Sequence, residues 1–334
     1  MAKRKRRRKT LRSKLTAIAV LAVLCAAATL AAVSIGSVRY SIPEVLDAFR
    51  GPDAKAWLLV WNVRLPRVIC GGLVGVCLSL SGCILQGVMR NHLASPSTIG
   101  VTSGAGFVGY LVLVAFPQLR ALLPVGVIAG SFAATMLIYL LAYARGVSPV
   151  RMILAGMAVS AMFGAFSDII RSFFSDRLGN AVGYFVGSLN GTTWDDLRLI
   201  LPYMLAGMAV CFFLPVNMNV LMLGDETARS LGLDVERFRL FLIATASLLA
   251  GASVAVAGMV GFVGLIVPHI ARILVGSDYR FLFPTSIFLG YAFVVACDTV
   301  GRVVLPVGEL SVSVVLAFIG APFFLWLLRK KNAM

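Results

Sequence analysis

Charged and apolar residues fall into long separate blocks along this chain. The runs Leu15–Ile35, Val68–Met89, Ala121–Ala144, Leu199–Leu223 and Leu310–Leu328 contain no Asp, Glu, Lys or Arg. Each is near or above the roughly 20 residues a helix needs to cross a bilayer. Such continuous runs predict helices, because a closed barrel would show short alternating segments instead. The fold class expected is an all-α polytopic membrane protein.

Turn and cap signals divide the chain into ten spans. After the first, Ser41-Ile-Pro-Glu44 reads as a helix start, with a capping serine, a first-turn proline and a reciprocating glutamate. A short external helix over 43–49 is expected there. The second span opens at Arg64-Leu-Pro-Arg67, runs to Gln86 and carries Gly71, Gly75 and Ser79 at four-residue spacing. Small residues so spaced admit a neighbouring helix at close range. Spans three to six are placed at about 97–116, 121–144, 151–173 and 197–216. A polar, glycine-rich stretch over 175–196 reads as an external loop with a short helix. No charge occurs in the 28 residues from Leu240 to Val267. That run exceeds one simple crossing, and Gly258, Gly261, Gly264 and Pro268 suggest a helix ending and a shorter one beginning. Spans nine and ten follow at about 281–303 and 309–328.

Composition supports lipid as the solvent. Sixty per cent of the 334 residues are hydrophobic, 13% are charged, and mean hydropathy is +0.94. The net charge of +16 is concentrated at the front, where nine of the 30 Lys and Arg lie in the first fourteen positions. A basic cluster before the first span places the N-terminus in the cytoplasm and can touch anionic headgroups of membrane lipid. Arg329-Lys330-Lys331 after the last span gives a cytoplasmic C-terminus, so an even number of crossings is required. No folded basic domain accompanies the N-terminal run, which argues against nucleic acid as partner. A cleaved signal peptide also fits poorly, since the first apolar run is long and lacks a small-residue cleavage site. The chain is divided into a basic cytoplasmic segment, 1–14, and a single transmembrane domain, 15–334. The six cysteines sit in apolar runs without a C-x-x-C pair and read as packing residues.

Several chemistries are unsupported. No lysine lies in a G-x-x-x-x-G-K-[ST] loop, so the chain should not hydrolyse ATP itself. Two histidines, His92 and His269, lack a carboxylate or H-E-x-x-H context, so neither metal nor cofactor is expected. The chain reads as a non-enzyme. What stands out is the polar stretch Gly224-Asp-Glu-Thr-Ala-Arg-Ser-Leu-Gly-Leu-Asp234 between apolar runs. Asp225 can cap a short helix over 226–231, Gly232 can end it in a left-handed conformation, and Asp234 can cap the next helix. This is either a rigid knob for a soluble motor subunit or an ordinary capped turn.

A series of motifs gives the reading its focus: Arg64-Leu-Pro-Arg67, Gln86 with Asn91-His-Leu-Ala94, Gly100-Val-Thr-Ser-Gly-Ala105, Leu154-Ala-Gly156 and Gly187-Ser-Leu189. They continue with Leu223–Gly232, Gly261–Arg272, Asp298-Thr-Val-Gly-Arg302 and Gly320-Ala-Pro-Phe-Phe324. In this order the chain resembles the FecCD family, the permease subunits of ATP-binding-cassette importers for iron-siderophores, haem and cobalamin. The resemblance implies ten spans, a second permease copy or paralogue, two ATPase subunits and an extracytoplasmic substrate-binding protein. By position it assigns ATPase coupling to Gly224, Asp225, Glu226, Ala228, Arg229, Leu231 and Gly232. It assigns docking of the binding protein to Arg64, Arg67 and Arg302. The alternatives are interfacial snorkelling for Arg64 and Arg67, and pairing with Asp298 one turn earlier for Arg302. Ser148, Pro149 and Val150 fall at the cytoplasmic gate, where relatives often place small hydroxyl residues. His92 and Ser95 stand in place of a proline and an acid, and Glu309-Leu-Ser-Val-Ser313 replaces Glu-Leu-Pro-Val-Gly.

The function expected is translocation of a ferric siderophore across the bacterial cytoplasmic membrane by alternating access, along a dimer-axis channel lined in part by spans five and eight. Haem or cobalamin is the rival cargo. An ion-coupled secondary transporter is the rival class, with Asp168 and Asp298 its only candidate carboxylates.

Overall fold

The computed structural model describes residues 10–36, 38–51, 55–142 and 149–329, and among them every regular element is helical. Helix α1 spans Leu11–Ser34 and α2 Ile42–Asp47. The 32-residue α3, Trp57–Val88, contains a π turn at Val60–Arg64. Helix α4 is Val101–Ala115, also closing in a π turn, and α5 is Leu123–Ala142 after a 3-10 turn at Pro117–Leu122. Then come α6 (Pro149–Phe173), α7 (Val182–Val186), α8 (Trp194–Phe213), α9 (Pro215–Leu221) and α10 (Asp225–Ser230). Helices α11 (Val235–Ala257), α12 (Val263–Val275), α13 (Tyr279–Val303) and α14 (Val312–Arg329) complete the chain.

Seven of these are long and apolar enough to cross a bilayer. Three shorter apolar helices, Val101–Ala115, Val263–Val275 and Val312–Leu327, stand where spans three, eight and ten were expected. The chain is a multi-pass membrane protein. Its first helix begins earlier than expected, at Leu11, because Thr10 accepts a hydrogen bond from the Ser13 amide at 3.3 Å and so caps it inside the basic segment.

The centre of the bundle is α3, packed against α11, α12 and α13. Small residues make this possible. A Cβ on Gly75 would lie 2.2 Å from the Gly290 carbonyl oxygen of α13, and one on Gly82 would lie 2.0 Å from that of Gly264 in α12. Gly75 and Ser79 of the ladder read from the sequence therefore make the α3–α13 contact, both beside Gly290, while Gly71 lies chiefly against Leu189. The outer helices are different. Most of α1 and α6 is exposed in the single chain, as apolar surface suited to lipid or another subunit.

The uncharged passage after Leu240 divides as expected, at Gly258, but two details differ. Gly264 and Pro268 lie inside α12 rather than at its break. Pro268 has no N–H, so the carbonyl of Gly264 four residues earlier loses its intrahelical donor. Gln86 of α3 supplies the replacement, donating Nε2 to that carbonyl at 3.2 Å. Its Oε1 in turn accepts from Arg272, on the last turn of α12. A membrane helix tolerates an interior proline where a neighbour satisfies the freed group in this way.

Candidate coupling and docking sites

The two candidate sites lie at opposite ends of the bundle. One end carries the last turn of α3, α9, α10 and the first turns of α11 and α13. The start of α1 belongs here too, with Lys14 over the ring of Phe281, 4.5 Å from its centroid.

The short helix α10 forms close to where the sequence placed it. Gly232 adopts φ +85°, the amide of Leu233 returns to the Ala228 carbonyl at 3.0 Å, and that of Gly232 to Arg229 at 2.9 Å. This doubly closed left-handed end stops the helix. Asp234 caps α11, accepting from the Arg237 amide at 3.2 Å. Asp225 differs from expectation. Gly224 occupies the N-cap position, and Asp225 is the first helical residue. Its carboxylate is directed to two arginines that sequence spacing did not single out, Arg90 just after α3 and Arg239 of α11, the latter at 2.8 Å. Arg229 pairs with Glu236 at 3.4 Å. Ala228 is buried as the seat of the hairpin, while Leu223 and Leu231 are 62% and 61% exposed and Glu226 and Gly232 face outward. The polar hairpin is thus flanked, before and after α10, by two large exposed leucines.

At the other end Arg64, Arg67 and Arg302 converge, but inward. They are 4%, 6% and 6% exposed. Arg64 ends the π turn of α3 and donates to the carbonyls of Val33, Ser34 and Val38 at the end of α1 and just after it, the first two at 2.6 and 3.1 Å. Arg67 makes a two-pronged contact with Asp298 of α13, from Nε at 3.0 Å and Nη2 at 2.9 Å, and reaches Glu309 with Nη1 at 2.6 Å. Arg302 lies 3.3 Å from the same Asp298 and donates to Ala32 O at 2.8 Å. This is the intramolecular pairing weighed for Arg302, and it extends to Arg67. Snorkelling does not describe Arg64, whose donors are taken up by backbone oxygens. In this conformation none of the three guanidinium groups faces outward.

Gate residues divide. Ser148 lies outside the described residues, Pro149 begins α6, and Val150 is exposed at its start. Of the two spans expected to line a passage, α6 presents Leu154, Met157, Phe166 and Ile169 outward, whereas α12 is largely enclosed by its neighbours. The carboxylates weighed for ion coupling are both paired: Asp298 as above, and Asp168 with Arg171 at 3.2 Å. Among the described residues no three His, Cys, Asp or Glu side chains gather as a metal site.

A sequence profile of the FecCD transport family matches residues 23–330. The chain belongs to that family. It is 39% identical over 284 residues to the cobalamin import system permease protein BtuC of Halobacterium salinarum, covering 84% of this chain and 76% of that one. Identity to the Fe(3+)-citrate import system permease protein YfmE of Bacillus subtilis is 35% over 316 residues, covering 94% and 95%. An inward-facing structure of a metal-chelate type ABC transporter superposes with TM-score 0.85 at 30% identity, over 95% of this chain and 99% of that one. The protein is thus an ATP-binding-cassette importer permease. Its similarity to PsaBC of Streptococcus pneumoniae, at 16% identity and TM-score 0.59, is one of fold alone.

Proposed function

We propose that this FecCD permease carries a ferric siderophore across the cytoplasmic membrane by alternating access. It pairs with a second permease copy or a paralogue and is driven by two ATPase subunits that seat α10. The observation that carries the motor reading is the α10 hairpin itself, a capped knob flanked by the exposed Leu223 and Leu231. The basic run before α1 and the basic residues after α14 support a cytoplasmic position for this end. The opposite end then faces the binding protein. There Arg64, Arg67 and Arg302 act first as posts that fix the surface, and Glu309, the least buried member of the cluster, is the group an incoming carboxylate would displace. Exposed apolar residues of α6 supply the wall along which a bulky chelate moves, with residues 148–150 at its cytoplasmic gate. The cargo reading draws on the Fe(3+)-citrate relative, matched over nearly all of both chains.

Cobalamin is the second reading, favoured by the 39% identity to the Halobacterium permease, which extends over a smaller share of that protein. Uptake of labelled ferric hydroxamate, ferric citrate, haem and cobalamin, in iron-limited cells with and without this chain, separates the two. Selective loss of a ferric chelate is the expected result. Loss of cobalamin uptake alone would replace the cargo, and uptake surviving a disabled partner ATPase would remove the motor.

A further inference from the structure

Two arginines meet one oxygen at the foot of α10. Arg90 and Arg239 both donate Nη2 to Asp225 Oδ1, Arg239 at 2.8 Å. They belong to different elements. Arg90 follows α3, and the same Nη2 also reaches the Leu221 carbonyl at the end of α9, at 3.2 Å. Arg239 sits in the second turn of α11, 5% exposed, and its Nε has no hydrogen-bond partner. Helix α10 is thereby joined to α3 and to α11 through one side chain.

The two joints are unequal. Arg239 is buried, so its charge depends on Asp225, and removing that partner would leave an uncompensated charge in the interior. Arg90 has a side chain 37% exposed, and water can hydrate it if it leaves. The idle Nε of Arg239 provides the alternative arrangement. With Arg90 withdrawn, the Asp225 carboxylate can accept from Nε and Nη2 together as a fork, so the number of charge-assisted hydrogen bonds need not fall. The site therefore has two arrangements of similar bonding, one tying α10 to α3 and α11 and one tying it to α11 alone. An element with two discrete packings of this kind can convert a small displacement into a switch.

Helix α3 is what the optional joint controls. It runs continuously for 32 residues, and the part between the foot of α10 and the Arg67–Asp298–Glu309 cluster is about 33 Å long at 1.5 Å per residue. We infer that Asp225 is a positioning residue that acts as a conditional clasp: α10 moves with α11 at all times, and with α3 only while Arg90 is engaged. The inference rests on the reading of α10 as the seat of the ATPase.

The test uses the whole complex in lipid nanodiscs, with spin labels at exposed Thr227 on α10 and exposed Val63 near the far end of α3, each paired with a label at exposed Phe318 on α14 as reference. Distances are compared with and without trapped ATP, in the parent chain, in Arg90→Gln and in Arg90→Lys. Arg90 is chosen because its exposure lets the variant fold. In the parent both labels shift on adding ATP. In Arg90→Gln the α10 label shifts and the α3 label does not, and Arg90→Lys restores the α3 shift. Cargo uptake falls by about tenfold in Arg90→Gln, the size of a typical coupling between sites. An α3 shift that persists in Arg90→Gln overturns the clasp while leaving the role of α10 intact. A parent complex in which the α10 label does not respond to ATP overturns that role, and the clasp with it.

Discussion

Gln86 hydrogen-bonds the one carbonyl in α12 that Pro268 deprives of its donor, that of Gly264. The contact explains how a proline sits inside a helix at the centre of the bundle, and why α3 and α12 are tied where Gly82 lets them approach.

Replacing Gln86 by Leu leaves the Gly264 carbonyl and one Arg272 donor unsatisfied. A loss of about 1–3 kcal/mol is expected for stranding a buried polar group. Adding Pro268→Ala returns an intrahelical donor to Gly264 and should recover part of it. Thermal unfolding of the single and double variants in detergent reads the coupling, and strict additivity would show that the two residues do not interact.

Gly75→Ala places a methyl carbon against the Gly290 carbonyl and must push α3 from α13. Overpacking of this kind costs about 1–3 kcal/mol. Gly164→Ala is the control, since a Cβ there meets nothing within 4 Å. It should match the parent or exceed it slightly, because alanine favours the helix.

Asp298 is the shared ion-pair partner of Arg67 and Arg302. Asp298→Ala should be among the most damaging single changes, about 3–5 kcal/mol for breaking a buried ion pair from one side. Glu309→Gln, at the exposed edge of the same cluster, should cost much less in denaturant. It should also tighten binding of the extracytoplasmic binding protein if that partner supplies the replacing carboxylate. Surface plasmon resonance on nanodisc-held permease measures it, and unchanged or weaker binding counts against displacement of Glu309.

Asp278, the N-cap of α13, is held down to about 2 by its hydrogen bonds from Arg280 and, beyond these, from Asn219. The folded value lies below the roughly 3.9 of an unfolded aspartate. The carboxylate therefore stabilises the start of α13 at every pH above about 4, and this contribution fades as the pH falls towards about 2. Hydrogen exchange in the first turn of α13 should accelerate across that acid window in the parent chain. Asp278→Asn should flatten the response.

The ladder Gly71, Gly75, Ser79 was legible because helical spacing alone puts those residues on one face. The α10 hairpin was legible because Gly232 and Asp234 act on their own neighbours. Both signals are local, and where locality ended the reading strayed. Asp225 looked like a cap because its position before a short helix suits one; the nearby Arg229 turns to Glu236 instead, and the partners of Asp225 lie 14 and 135 positions away, at Arg239 and Arg90. Arg64, Arg67 and Arg302 were assigned to docking by the resemblance alone, and apart from the Arg302–Asp298 pair one turn apart, no spacing along the chain records which groups their guanidinium donors meet.

The sequence by itself determined that this chain lives in a bilayer, roughly where it crosses, and to which family it belongs. In lipid each helix satisfies its own backbone, so apolar length suffices to specify a span. Only the tertiary structure decided which polar groups spend themselves on one another. Gln86 with Gly264 and Arg67 with Asp298 join positions 178 and 231 apart. A buried charge or an unsatisfied carbonyl takes whichever partner packing brings within reach, and no periodicity along the chain records that choice.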